Sequence, residues 1–352
     1  MSHNANRRPR LAITVGDPAG IGPEIIAKMC AKHSSNLNAD LLVIGNPSCM
    51  REAAATWTTL TVQVLDESSL EANPDAINVI AIDEPPTPIQ AGVLSADGGR
   101  LAYLAIEKAV ALAMRGDVDA IVTAPLNKEA LSMAGYRYPG HTEILAKLSG
   151  SADSCMLLVH DRLKVSHVST HTALRNVPDK LTPARLERVI TLTYHAMQEL
   201  LDTAEPRLAV AALNPHAGED GLFGDEDMKV TAPVVADFQA KGMNVVGPIP
   251  GDTVFVKAYA GQYDAVIAMY HDQGHIPLKL LGFSIDADGV WQGISGGNVT
   301  LGLPIIRTSV DHGTAFDIAG KGIANEQSLL EASELALRFA HAKTATTAEK
   351  GV

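Results

Sequence analysis

Cysteine is scarce: three residues, Cys30, Cys49 and Cys155, stand far apart in 352, with no C-x-x-C pair. That spacing excludes a disulfide framework and fits a reducing compartment, so a cytoplasmic location is expected. Positive charge is short as well. Lys plus Arg number 28 against 40 Asp plus Glu, a formal net charge of −12. A field of that sign repels a phosphate backbone and argues against nucleic acid as a partner. No run approaches the ~20 uninterrupted apolar residues that span a bilayer, so no membrane segment is expected. The basic start, with Arg7, Arg8 and Arg10, leads into an apolar run that stops at Gly16-Asp17-Pro18. That run is too short for a signal-peptide core, and the start reads as a loose tail. Also missing are the G-x-G-x-x-G turn of a Rossmann domain and the Walker A P-loop.

What remains is the composition of a folded protein, 46% hydrophobic and 19% charged, which excludes disorder and low-complexity scaffolding. At roughly 150 residues per domain the length suggests two domains. Short runs rich in Val, Ile, Leu and Ala recur at residues 11–15, 41–44, 79–82, 120–123, 156–159, 163–168, 208–213, 265–269 and 305–308. Helical periods lie between many of them, over 22–32, 99–115, 183–201, 231–241 and 326–341. Buried strands joined by helices predict an α/β fold with mainly parallel sheets and helices on both faces. Residues 83–99, with Pro85, Pro86 and Pro88, predict a long connector. The glycine-rich stretch 284–297, which includes Trp291, predicts an irregular loop or flap.

Of the twelve histidines, His3, His33, His160, His167, His195 and His341 have no chemical context and are assigned to surface or core. Three others share a position. His171, His216 and His271 each lie just beyond the C-terminal end of a predicted strand, the edge where α/β sheets bind ligands. Three neutral imidazoles would hold Zn, Co, Ni or Mn and leave coordination positions open for substrate; isolated histidines are more often ordinary polar partners.

Two glycine-rich segments are candidates for anion or nucleotide contact. GDPAGIGPE at 16–24 follows the first strand and opens a helix; a tight turn and a binding loop are equally good readings. In residues 311–325, small residues permit close approach of a ligand, and Asp317 is placed to accept from ribose hydroxyls. A polar set follows: His141, Thr142, Lys279, Asn298 and Arg307. Lys and Arg gathered at one site would hold a phosphate or carboxylate, whereas a single one is usually a solvated charge.

Taken in order, GDPAGIGPE, TAPLNK (123–128), GHTE (140–143), TH (170–171), LNPHAGE (213–219), YHDQG (270–274) and LGLPIIRTSVDHGTAFDIAGKG (301–322) resemble the 4-hydroxythreonine-4-phosphate dehydrogenase (PdxA) family along nearly the whole chain. The resemblance implies the two-domain isocitrate/isopropylmalate dehydrogenase-like fold. A discontinuous cofactor-side domain, residues 1–130 plus 310–352, would accompany a metal-binding, substrate-binding and dimerising domain, residues 131–309. It implies NAD as cofactor, with Asp311, His312, Gly313, Thr314, Asp317, Gly320 and Asn325 as binding candidates. His171, His216 and His271 become ligands of a divalent metal (Zn, Co, Mn, Ni or Mg), and His141, Thr142, Lys279, Asn298 and Arg307 become substrate contacts. It further implies a homodimer whose active sites draw on both subunits.

The implied reaction is oxidation of a 3-hydroxy acid by NAD followed by loss of carbon dioxide. Lys279, Asp252 and Asp272 are candidates for the proton transfers. The stretch 284–297 and the sequence YHDQGH, with His275, are similar to a sister branch acting on 4-phosphorylated threonate or erythronate and yielding dihydroxyacetone phosphate. Substrates left open are 4-phosphohydroxythreonine, such a phosphorylated sugar acid, and the ring diol of a terephthalate cis-dihydrodiol dehydrogenase. A metal-dependent hydrolase or aldolase, or a silent binding relative, would need no 311–325 loop.

Overall fold

A computed structural model describes residues 7–151, 153–287 and 291–349. In chain order its strands are β1 (Arg10–Thr14), β2 (Asp40–Gly45), β3 (Thr61–Val64), β4 (Ala76–Ala81), β5 (Ala120–Thr123), β6 (Cys155–His160) and β7 (Leu163–His167). They continue as β8 (Leu208–Ala211), β9 (Val245–Ile249), β10 (Ala265–Ala268), β11 (Phe283–Ile285), β12 (Trp291–Ile294), β13 (Gly297–Leu301) and β14 (Arg307–Val310). The chain divides into two compact units, residues 1–152 with 303–352, and residues 153–302.

In the first unit the strands lie in the order β3-β4-β2-β1-β5-β14, parallel throughout. Successive side chains of a strand face opposite ways, and both faces here are buried. Leu11, Ile13, Leu41 and Val43 enter one core with the helix Gly22–His33 and the C-terminal helix Gln327–Glu349. Ala12, Leu42 and Ile44 enter another, under the helix Ala96–Arg115. Fully burying one Leu or Ile contributes about 1.5–3 kcal/mol, so near-continuous apolar strands are what a doubly covered sheet requires. The connector ends earlier than 99. Ser95 accepts from the Gly98 N–H as N-cap, and the helix starts at Ala96. The N-terminal segment is also tied down where it is described: Arg7 donates from both terminal nitrogens to Asp119, at 2.7 and 2.9 Å.

In the second unit the order is β13-β6-β7-β10-β8-β9. β7, β10, β8 and β9 are parallel, while β6 is antiparallel to both its neighbours. The stretch 284–297 is not an irregular loop. β11 and β12 form an antiparallel pair and β13 begins at Gly297; residues 288–290 lie outside the described residues. Edge strand β9 escapes a reading by periodicity because Gly247 and Pro248 interrupt it, and proline is tolerated on an edge. Among the described residues no helix is long and apolar enough to cross a membrane.

One buried acid has a measurable signature. Asp17, 0% exposed just after β1, accepts from the Ala19 N–H at 3.0 Å, while its Oδ2 has no hydrogen bond. Burial pushes its pKa up to about 6. A carboxyl with a raised folded-state pKa contributes stability that is fully present below its unfolded value and lost as pH rises through 6. The shift of about two units corresponds to roughly 3 kcal/mol. Relative to wild type, Asp17→Asn should therefore gain roughly 3 kcal/mol between pH 4 and pH 8, read from urea unfolding at both. A difference that stays constant with pH would assign Asp17 an ordinary pKa.

Candidate active site

Three parallel neighbours, β7, β10 and β8, each run into a histidine-bearing segment: Thr170-His171, Asn214-Pro215-His216 and Tyr270-His271. The strand ends are tied to one another by side chains. Ser169 donates to the Met269 carbonyl at 2.8 Å. Gln273 accepts from the Met269 N–H at 2.7 Å and donates to the Ala212 carbonyl at 2.7 Å, joining the ends of β10 and β8. Asp227, 0% exposed, accepts from the backbone N–H groups of Leu213 and Asn214 at 2.9 Å each. These residues fix the strand ends, and the sequence gives them no local signal.

The helix His271–Gly282 presents His271, His275 and Lys279 at four-residue spacing, hence along one face. The His271 and His275 rings stack at 3.7 Å between centroids, and buried His167 lies 4.8 Å from His275. His167, which has no chemical context in the sequence, thus joins a row of histidines. Burial pushes His167 down to about 3 and His275 down to about 4, so both are neutral at physiological pH. The close approach needs Gly274, where an added Cβ would lie 2.3 Å from the His167 Nε2.

His171 and His271 stand 5.9 Å apart between ring centroids. Two imidazoles bound to one ion at ~2.1 Å have centroids within about 6.6 Å, so this pair fits a shared cation. The Nδ1 of His271 is 2.7 Å from Asp272 Oδ1, and that of His216 is 3.2 Å from Glu219 Oε2. A carboxylate behind the ring, with Nε2 left for the ion, is the usual support of a metal-ligating histidine. His216 sits on an exposed turn, with residues 216–220 all at positive φ. As the side chains stand, no three His, Cys, Asp or Glu groups among the described residues are gathered to hold an ion. In the same unit Lys279 Nζ lies over the Phe283 ring at 5.1 Å, Asp252 is exposed, and the Asn298 Oδ1 is buried without a hydrogen-bond partner.

The first unit carries the other polar set. Arg307 opens β14, 3% exposed, and donates to the Thr123 hydroxyl at 2.7 Å; burial pushes its pKa down to about 9. It remains a cation at neutral pH. His141, at the start of the helix His141–Ser149 with Thr142 beside it, is held well below the usual imidazole pKa by burial and by the charges of Arg307 and Lys128. It hydrogen-bonds the Ala124 backbone, and its Nε2 is buried without a partner. The proton therefore rests on Nδ1, and Nε2 offers a lone pair.

The loop 311–325 follows β14. The Asp311 N–H donates to Ser328 Oγ, the Thr314 carbonyl accepts from the Ile21 N–H at 3.0 Å, and Asn325 accepts from the Gln327 N–H at 2.7 Å. His312 Nε2 is buried and unpartnered, and burial lowers its pKa. Gly313 has open space where a side chain would be, and Asp317 and Gly320 are exposed. An orphaned ring nitrogen beside open, small-residue backbone fits a ligand that brings a polar planar group, such as the adenine of a dinucleotide.

Residues 37–336 match the family described as pyridoxal phosphate biosynthetic protein PdxA. The chain belongs to this family. It is 57% identical to a putative D-threonate 4-phosphate dehydrogenase of Bradyrhizobium diazoefficiens, over 96% of this chain and 98% of that one. It is 52% identical to the D-threonate 4-phosphate dehydrogenase of Salmonella typhimurium, over 94% and 98%. Among solved structures, a 4-hydroxythreonine-4-phosphate dehydrogenase from Klebsiella pneumoniae superposes with a TM-score of 0.82 at 46% identity, covering 95% of this chain and 100% of that one. The α/β, dehydrogenase-like fold expected from the sequence is thereby borne out.

Proposed function

We propose that this PdxA-family chain is an NAD- and divalent-metal-dependent dehydrogenase that oxidises and decarboxylates a 4-phosphorylated 3-hydroxy acid, with D-threonate 4-phosphate as the first choice. The observation that carries this reading is the placement of His171, His216 and His271 at the same ends of three neighbouring parallel strands. The names of relatives more than 50% identical to this chain support the substrate class. In this reading His171, His216 and His271 hold the cation, backed by Asp272 and Glu219. Residues Asp311, His312, Gly313, Thr314, Asp317, Gly320 and Asn325 are the candidates for cofactor contact. NAD, when bound, would supply the hydride acceptor, and the cation would supply Lewis acidity.

The chain's own residues have separate tasks. Arg307 binds the phosphate, since its planar guanidinium is suited to phosphoryl oxygens and its burial strengthens the attraction. Neutral His141 accepts from a substrate hydroxyl through Nε2, with Thr142 alongside, and Asn298 contributes its amide. Lys279 takes the hydroxyl proton; among the three candidates it is favoured because Asp272 is engaged behind His271 and Asp252 is exposed. The β-keto acid then loses carbon dioxide and the carbon that carried it takes up a proton, giving dihydroxyacetone phosphate from D-threonate 4-phosphate.

Ile276 and Leu280, on successive turns of the helix His271–Gly282, are 64% and 79% exposed. An apolar stripe of this kind on a charged protein fits burial against a second copy. Sedimentation equilibrium reads it directly, and a monomer at micromolar concentration ends the homodimer reading.

The deciding experiment mixes the protein, NAD and a divalent metal with D-threonate 4-phosphate, D-erythronate 4-phosphate, 4-phosphohydroxythreonine and the terephthalate dihydrodiol in turn. Reduced cofactor with a phosphorylated acid is expected, with kcat/KM at least tenfold higher for D-threonate 4-phosphate than for the others. Turnover of the dihydrodiol alone would overturn the phosphate assignment, and no turnover of any would overturn the reaction class.

A further inference from the structure

Glu24 stands in the first turn of the helix Gly22–His33, and Lys28 one turn later. Their side chains, 3% and 14% exposed, pair at 2.7 Å. The pair does not close on itself. Lys28 Nζ also donates to the backbone carbonyls of Gly322 and Ala324, at 2.8 Å each. Glu24 accepts from the Ala324 N–H at 2.9 Å and the Gly322 N–H at 3.3 Å. Both backbone polar groups of two loop residues, almost 300 positions away, are thus taken by one buried ion pair. Lys28 lies 5.6 Å over the Trp57 ring, and that ring fills the space beside Gly322. There φ is +75°, and an added Cβ would lie 2.4 Å from the ring. At the near end of the loop the Ile21 N–H holds the Thr314 carbonyl.

A buried ion pair is a poor source of stability, because desolvating two charges offsets most of their attraction. Its strength is geometric. Four directed hydrogen bonds set one backbone course for residues 322–324 and leave buried groups unpaired in any other. The loop between its fastened ends carries exposed Asp317 and Gly320.

We propose that Glu24 and Lys28 are positioning residues for dinucleotide binding, holding loop 311–325 in its receptive course without touching cofactor or substrate. The GDPAGIGPE turn is then the seat of the cofactor loop. This rests on the NAD reading given above.

The test is Lys28→Met, which keeps an unbranched apolar stem and removes the ammonium group with its three hydrogen bonds. NAD is titrated by calorimetry, and initial rates are measured against NAD and against D-threonate 4-phosphate. The expected result is an NAD Kd and KM raised at least tenfold. Kcat at saturating NAD and the KM for the phosphorylated acid should stay within twofold, a split that a general loss of folding would not give. Glu24→Gln keeps the side chain's shape and one acceptor oxygen, and should weaken NAD about threefold or more. It decides by the same titration should Lys28→Met not fold. An NAD Kd within twofold of wild type in the folded variant, or a loss carried equally by kcat, overturns the inference. Wild-type protein that binds no NAD overturns the cofactor reading instead.

Discussion

His271→Gln is expected to lower kcat/KM by at least a thousandfold and to empty the metal site. His271 is the best-supported of the three candidate ligands. Its ring faces His171 at 5.9 Å, stacks on His275 and has Asp272 behind Nδ1. Glutamine fills a similar volume but cannot reproduce the ring nitrogen, and a site reduced to two imidazoles binds divalent ions weakly. Dialysed protein analysed by inductively coupled plasma mass spectrometry should fall from about one metal per chain to less than a tenth. Asp272→Asn should give a graded version, with metal affinity down about 10–100-fold as for other carboxylates behind a metal-bound histidine. Its activity should be restored by excess metal. Full activity in metal-free His271→Gln would remove the metal from the reaction.

Arg307→Met is expected to separate function from stability. Loss of a buried, charge-assisted partner costs about 2–5 kcal/mol in binding, or roughly 30- to several-thousandfold in kcat/KM for a phosphorylated acid. In the free protein the lost hydrogen bond to Thr123 is offset by removal of a desolvated charge, whose burial already pushes its pKa down to about 9. Its melting temperature should hold or rise. Arg307→Lys should recover little, since an ammonium lacks the fork that reaches both Thr123 and a phosphoryl oxygen. A destabilised variant with unchanged kcat/KM would make Arg307 a structural residue. For a non-phosphorylated substrate the rate should be nearly indifferent to this change.

The strands that read most clearly from sequence are those buried on both faces. β5 coincides with the run 120–123, and the helix Pro183–Leu201 with the period 183–201. Their apolar residues answer to a continuous local environment. Elements at an edge do not. β3, with most of its residues exposed, lacks the apolar run, and β9 carries Gly247 and Pro248. At the candidate site, the position of His171, His216 and His271 after strand ends was legible because apolar runs mark where strands stop, whereas the order β7-β10-β8 that makes them neighbours is set by long-range pairing. The residues that hold those ends were not. Gln273, Asp227 and the pair Glu24 and Lys28 act on backbone groups from 4 to 300 positions away. No periodicity records such pairings. His167 is a core residue, as the sequence reading allowed, but its contact with His275, 108 positions along the chain, leaves no local trace.

The first unit is split in sequence around the second, and its core includes Val310, Leu329, Ala332, Ala336 and Leu337 from the far segment. On the ribosome, residues 153–302 are made while β1 to β5 still lack β14 and the closing helix. Until the last fifty residues are made, Leu11, Ile13 and Val43 wait with one side of their sheet incompletely covered. Chains that stop before residue 303 therefore leave apolar surface uncovered and are expected to aggregate more than the full chain.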